Sequence, residues 1–186
     1  MKPFAALSVA SLIACIGVTT IADATTTATI DKRQAMMKSM ARAAKTIGDM
    51  FQGKLAYDAN IFEAAAELIH ANSGRTLLDD FPPGSLGERS QANETIWAQW
   101  DEFQILAGRL SVLGAGLAAD AAASPDAIGS AMRMQPGTMM GGGSLLAGRP
   151  KPLTEADVAG LPAEHAYHLM LEACTSCHAK FRTKRD

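Results

Sequence analysis

Apolar residues recur along this chain at intervals of three, four and seven, the spacing that places side chains on one face of an α-helix. One such pattern predicts a helix over about residues 30–51, closed by Gly53. A second predicts a helix over about 58–71, ended by Asn72-Ser73-Gly74. A third predicts a helix with Ser90 as its N-cap that runs to about residue 123.

The remainder of the chain predicts a fourth helix preceded by an insertion. Ser124-Pro125-Asp126 has the form of a further helix start, but residues 135–161 hold glycines and prolines too densely for a packed helix. Within that insertion, Thr154 and Asp157 have the spacing of a helix cap. A last helix is predicted over about 162–183. The fold predicted is all-α, an antiparallel up-down-up-down four-helix bundle with a long Gly/Pro/Met-rich insertion before the last helix.

Composition agrees with this architecture. Aromatic residues make up only 5% of the 186 residues, and alanine is abundant, which favours closely packed helices in one domain. Gly108, Gly114 and Gly116 lie late in the third helix, where they either admit a flat group or a neighbouring backbone or simply weaken the helix. The formal net charge of −2 provides no basic face, so nucleic acid is not an expected partner.

The N-terminus has the features of a secretory signal peptide. Lys2 precedes an apolar run over residues 4–21, and Ala22-Asp23-Ala24 supplies a small-x-small cleavage pattern. We therefore expect residues 1–24 to be removed, leaving an exported, periplasmic domain over 25–186 with no membrane span. Cys15 lies in a sequence that resembles a lipobox, but the apolar stretch after it favours the cleavage site at Ala24.

Cys174-Thr175-Ser176-Cys177-His178 has the spacing that attaches a c-type haem. With Cys15 removed, Cys174 and Cys177 are the only cysteines left, and a thioredoxin-like pair or a zinc site would require a βαβ context or further ligands. On a helix, Cys174, Cys177 and His178 share one face. Two thioethers would then hold the haem, with His178 as the iron ligand. Phe181 shares this side and packs on the haem or in the core, and Arg182 pairs with a propionate or remains solvated.

A C-terminal haem motif on the last helix of an exported bundle resembles the class II cytochromes c, the family of cytochrome c′ and its low-spin relatives. The first predicted helix contains "DKRQAMMKSM" and the third contains "ETIWAQWDEFQ", and both are similar to segments of that family. The resemblance implies that Cys174 and Cys177 carry one covalent haem, that His178 is the proximal ligand and that Met37 faces the distal side. It also implies that Arg33 lies near a propionate.

This resemblance implies one-electron transfer with redox partner proteins. No catalytic triad or acid–base pair is evident in the sequence, so we do not expect an enzyme. If Met37 binds the iron, a six-coordinate His/Met haem suits electron transfer. If Met37 only fills space, the iron is five-coordinate and binds small gases such as NO and CO. Homodimers are common in the family, usually through the first two helices.

An alternative function is a haem-free helical module that binds copper through thioethers. The candidate thioethers are those of Met132, Met134, Met139 and Met140. The remaining histidines, His70, His165 and His168, are expected to be surface or interhelical groups rather than metal ligands.

Overall fold

The computed structural model describes residues 18–135 and 150–183, with side chains from Thr26 onward. Seven helices follow one another in these residues: α1 (Val18–Phe51), α2 (Ala59–Ala71), α3 (Gly74–Asp79), α4 (Thr95–Ala98), α5 (Trp100–Ala123), α6 (Glu155–Val158) and α7 (Ala163–Phe181). The four long helices α1, α2, α5 and α7 form the bundle, and no strand occurs in the ranges described. The predicted all-α four-helix bundle is confirmed. The predicted signal peptide lies mostly outside these residues, although α1 runs through the expected cleavage site.

Local sequence signals account for several helix ends. Asp58 is the N-cap of α2, where its carboxylate accepts a hydrogen bond of 3.0 Å from the backbone N–H of Ile61. Thr154 and Asp157 form the predicted capping box at the start of α6. Most residues of the predicted apolar stripes of α2 and α5 are buried, and Phe62 and Leu117 lie at the centre of the core. Ile61, which was also expected on the buried face of α2, is 50% exposed.

Other predicted boundaries were wrong. α1 begins at Val18 rather than near residue 30, since the Thr/Ala-rich segment before Ile30 contains no glycine or proline to end a helix. Ser90 is not a helix cap: the third helix is divided at Gln99, whose φ of −128° and ψ of 44° are not helical. α3 was not predicted; it follows directly after the predicted end of the second helix at Gly74.

The helix start predicted at Ser124 is also wrong. Ser124 is the C-cap of α5, and the residues after it form turns as far as residue 135. Too few apolar side chains follow Ser124 to form a buried stripe, since 125–127 are all exposed. At the other end of the insertion, α7 begins at Ala163 and ends at Phe181, close to the predicted limits.

α2 and α5 pack closely because of a glycine. A Cβ atom at Gly114 would lie 2.8 Å from the backbone N of His70, so the backbones of the two helices approach at this point. A Cβ atom at Gly116 would lie 2.5 Å from Cγ1 of Val158 in α6, whereas one at Gly108 would meet nothing within 4 Å. The first two glycines therefore admit neighbouring groups, and Gly108 has no such role among the described atoms.

One described helix, Trp100–Ala122, is apolar and long enough to cross a membrane. Its apolar face, which includes Phe103, Leu110 and Leu117, is buried against the other helices of the bundle. A core helix of this kind meets the same criterion without spanning a membrane, so the feature is weak evidence for a span.

Candidate functional site between the first and last helices

The Cys-x-x-Cys-His motif lies in the last three turns of α7. Cys177 is 8% exposed and Cys174 is half-buried, and both are free thiols. Burial raises the pKa of Cys174 to about 11, and burial together with the neighbouring Cys174 raises the pKa of Cys177 to about 12. Both side chains are therefore protonated at neutral pH and present neutral sulfur to the bundle.

His178 lies at the exposed edge of the same helix. Partial burial, and then the charge of Arg182, lower the pKa of its imidazole. The neutral imidazole is the form that has a free nitrogen lone pair, which is the form that binds a metal. Two thiols and this imidazole on one helix suit the attachment of a c-type haem.

On each of the two helices that would enclose the haem, three residues relevant to the site share one face. At about 100° per residue, Tyr167, Cys174 and His178 lie within about 40° of one another on α7. On α1, Met37, Ala44 and Gly48 lie within about 40° of one another by the same geometry.

These two faces meet at Tyr167. Its hydroxyl donates a hydrogen bond of 3.2 Å to the backbone carbonyl of Ala44, and a methyl group added at Gly48 would overlap that hydroxyl. Gly48 and Tyr167 were not among the predicted site residues. The available signal was the position of Tyr167 seven residues before Cys174, on the same helical face.

This contact fixes which residues lie at the same level along the antiparallel helices α1 and α7. Met37 lies seven residues before Ala44, and Cys174 lies seven residues after Tyr167, so each is about 10.5 Å from the contact. In the same way Arg33 and His178 each lie eleven residues from it, at about 16.5 Å. The predicted distal residue, Met37, therefore lies at the level of the haem motif.

The facing surfaces of α1 and α7 are joined at one end and open at the other. At the joined end, which we call the closed end, Arg133 donates to the carbonyl of Phe51 at 2.7 Å and pairs with Glu164 at 3.2 Å. At the other end, which we call the open end, several of the described side chains on the facing surfaces are partly or fully exposed, although Arg33 is buried. Ala41 and His178 are exposed there, and Met37 and Cys174 are half-buried. The separation of the facing surfaces at this end, which we call the α1–α7 gap, lies between apolar side chains beside two thiols and an imidazole, an arrangement that suits a flat, largely apolar cofactor such as haem.

Arg33 is buried at the open end, with only 4% of its surface exposed. Its guanidinium donates to Oγ of Ser85 at 2.9 Å, to the carbonyl of Ser85 at 2.7 Å and to the carbonyl of Asp80 at 3.3 Å, and it lies 4.6 Å from the centre of the Phe81 ring. Burial lowers the pKa of Arg33, and the negative charge of Asp80 opposes that effect. These contacts use three of its five N–H donors, and its role beside a propionate stays a prediction.

Phe181 and Arg182, at the end of α7, contact protein groups. Phe181 is 3% exposed, and its ring centre lies 5.4 Å from that of Phe103, which in turn lies 5.1 Å from that of Phe81. Arg182 donates from Nε to the side-chain carbonyl of Gln91 at 2.8 Å. The placement of Phe181 agrees with the core-packing alternative, and a pairing of Arg182 with a propionate stays a prediction.

The other predicted candidates do not form a second metal site. His70 bonds to the carbonyl of Ser111 at 2.9 Å between α2 and α5, His165 is buried, and His168 is exposed. Among the described residues no three His, Cys, Asp or Glu side chains are grouped as metal ligands. Met132 is buried in the core, while Met139 and Met140 lie outside the described residues, so the copper hypothesis gains no support here.

Comparison with known proteins finds similarity to cytochromes. A family model described as Cytochrome C′ matches residues 28–137, which end before the Cys-x-x-Cys-His motif. A cytochrome c-556 of Agrobacterium tumefaciens (strain II Chrys) is 33% identical over 81 residues, which are 44% of this chain and 65% of that protein's length.

Two solved structures of cytochrome c prime from Alcaligenes xylosoxidans are similar in fold. One is a nitrosyl complex of a variant, with a TM-score of 0.57, 20% identity, and coverage of 85% of this chain and 97% of that one. The other is a carbon monoxide complex of a second variant, with a TM-score of 0.58, 20% identity, and coverage of 86% and 97%.

Proposed function

Because this chain belongs to the cytochrome c′ family, we propose that it is a one-electron carrier in which His178 and Met37 bind the iron of its haem from opposite sides. Members of the family carry covalently bound haem c, which supplies an iron that changes oxidation state. The observation that carries the proposal is the alignment of α1 with α7, which brings Met37 to the level of Cys174.

The residues of α7 hold and orient the haem in this proposal. Cys174 and Cys177 provide the two thioether sulfurs, one turn of helix provides their spacing, and His178 provides the proximal nitrogen. The lowered pKa of His178 supports this role, because a neutral imidazole needs to lose no proton before it binds.

Met37 provides the distal sulfur. Its side chain is half-buried against the core and belongs to the same α1 face as Ala44, which contacts α7. A thioether is unbranched and flexible, and His/Met ligation raises the reduction potential, which suits electron transfer. The neighbouring Met36 is 7% exposed and points into the core, so it is the natural control.

The test is the visible absorption spectrum of oxidised and reduced protein, with and without CO, for wild type, Met37→Leu and Met36→Leu. Leucine has nearly the volume of methionine but no ligand atom. We expect a low-spin wild type that resists CO, a high-spin Met37→Leu that binds CO, and a Met36→Leu that behaves as wild type. A Met37→Leu spectrum identical to that of wild type would exclude Met37 as a ligand.

The second candidate function is the binding of a small gas at five-coordinate iron, with Met37 as a distal plug. The related Alcaligenes xylosoxidans proteins were solved with nitric oxide and carbon monoxide, which favours this candidate. A high-spin wild type that binds CO before any substitution would support it. Absence of covalent haem after expression with haem-attachment machinery would favour the copper-binding module instead.

Export, dimerisation and the redox partners belong to the same proposal. We expect a mature periplasmic chain that begins at Thr25, which intact-protein mass spectrometry tests directly. We also expect a homodimer through α1 and α2. Sedimentation velocity checks the dimer, and a single monomer species at micromolar concentration would count against it.

A further inference from the structure

Among the contacts between α1 and α7, one depends on the absence of a side chain. Gly48 lies in the last turn of α1, three residues before the helix ends at Phe51, although glycine weakens a helix relative to alanine. The hydroxyl of Tyr167 occupies the space that a Cβ atom would fill. The hydroxyl of Tyr167 therefore lies directly against the backbone of α1.

Tyr167 is held rigidly in that position. It is 8% exposed, its ring centre lies 5.6 Å from that of Phe51, and its hydroxyl donates to Ala44. Phe51 in turn packs edge-on against Phe62 of α2, with ring centres 5.5 Å apart. The ring cannot turn away from Gly48 without disturbing this aromatic cluster, so the contact sets the distance between the two helix axes.

Gly48 and Tyr167 lie between the closed end and the candidate haem ligands. Arg133 and Glu164 join the helices on one side of the contact, and Met37 and Cys174 lie about two turns away on the other side. A change in helix separation at the contact therefore carries through to the gap that separates Met37 from His178.

We infer that Gly48 and Tyr167 are positioning residues that set the width of the α1–α7 gap, and thereby decide whether Met37 reaches the iron. The inference rests on the proposed function, since it requires a haem in that gap. Neither residue is a ligand, and neither needs to touch the iron.

The test is Gly48→Ala, studied in the protein with its haem attached. The added methyl group displaces the Tyr167 hydroxyl and widens the gap, so we expect the equilibrium constant for Met37 ligation to fall by about tenfold. The measured signs are a larger high-spin fraction in the absorption spectrum and a larger fraction that binds CO.

Gly114→Ala is the matched control, because it introduces a comparable overlap between α2 and α5. It lowers the stability but leaves the spin state and the CO reactivity as in wild type. In the Tyr167→Phe background the hydroxyl is absent, so Gly48→Ala causes a much smaller change than in wild type. If Gly48 and Tyr167 only stabilised the fold, removing the hydroxyl would not reduce the effect of Gly48→Ala on the absorption spectrum.

The other possible results also test the role of Gly48 and Tyr167. An unchanged spectrum in Gly48→Ala, or an equal shift in Gly114→Ala, overturns the inference. If wild type is already high-spin, the proposed Met37 ligation fails, but the gap is still tested: the association rate constant for CO then rises about tenfold in Gly48→Ala if the contact sets the gap, and stays constant if it does not. A chain that attaches no haem overturns both proposals.

Discussion

Arg33 shows how a single buried charge can organise the open end of the bundle. Its guanidinium connects α1 to Ser85 and Asp80 in the segment after α3 and stacks on Phe81. Asp80 is itself 5% exposed and pairs with Lys32 at 2.5 Å, while its Oδ2 atom has no hydrogen-bond partner among the described groups. Removal of the guanidinium leaves these buried acceptors without their donor.

Arg33→Leu is therefore expected to lower the free energy of unfolding by about 2–4 kcal/mol, because several buried acceptors lose a charged donor. Urea denaturation measures the change. Arg75→Leu is the control, since Arg75 pairs with Asp79 on the surface, with 86% and 58% of the two side chains exposed. It should cost no more than about 0.5 kcal/mol. Equal losses in the two variants would contradict the role assigned to Arg33.

Asp120, near the end of α5, gives a pH-dependent prediction. Burial raises the pKa of this carboxyl above its ordinary value of 3.8, so the folded state favours the neutral acid. Its contribution to stability is then fully present below the unfolded pKa and is lost as the pH rises through the folded pKa. Asp120→Asn should raise the stability at pH 7, and the gain should disappear below about pH 3.8. Thermal unfolding across this range checks it, and a gain that persists at pH 3 would refute it.

At the level of the helix, two glycines of α5 provide a matched comparison. Gly114 admits the backbone of α2, whereas a Cβ atom at Gly108 would meet nothing within 4 Å. Gly114→Ala should destabilise the protein by about 1–3 kcal/mol through overlap with His70. Gly108→Ala should stabilise it by about 0.5–1 kcal/mol through lower backbone entropy in the unfolded chain. Differential scanning calorimetry of the two variants checks both signs, and two shifts in the same direction would be inconsistent with this packing.

The helices themselves could be predicted wherever their signals are local. Asp58, the capping pair Thr154–Asp157 and the apolar stripe of α5 each act within a few residues, and the helices that contain them were predicted, although the start of α5 was not. The break at Gln99 could not be predicted, because nothing in its own sequence separates α4 from α5. The false helix start at Ser124 had good cap chemistry but no buried stripe to stabilise it.

Part of the candidate site could be predicted from local sequence, and part could not. Cys174, Cys177 and His178 could be identified because one turn of helix brings them together. The contact between Gly48 and Tyr167 depends on how two helices more than 100 residues apart are aligned, and neither helix specifies that alignment through its own periodicity. Positions of this kind become visible only in the assembled bundle.

For the whole molecule, the important feature is that the contacts between α1 and α7 that the described residues show lie towards one end of the bundle. The closed end has the Arg133–Glu164 pair and the aromatic cluster around Phe51, while the open end presents half-buried side chains around Met37 and Cys174. Covalent haem is expected to fill that opening and to stabilise the helices that line it.

Without haem, the N-terminal half of α1 and the C-terminal half of α7 should therefore exchange their amide hydrogens fastest. We expect protection factors there at least about tenfold below those of α2 and the middle of α5, and attachment of haem should reduce the difference. Hydrogen exchange followed by mass spectrometry measures it on wild type and on Cys174→Ser/Cys177→Ser. Uniform protection across the four long helices without haem would contradict this description.

The contact at Tyr167 also has a mechanical consequence. With the helices held beyond it at the closed end, Tyr167 acts as a fulcrum, and Met37 lies on a lever arm of about 10.5 Å. A rotation of only about 5° there moves the Met37 end by about 0.9 Å, which is enough to separate a ligand from its metal. We therefore expect substitutions three turns of helix away from Met37 to change the coordination of the iron. We expect the chemistry of the distal side chain to determine whether it can bind the iron, and the position of the fulcrum to determine whether it comes close enough to bind.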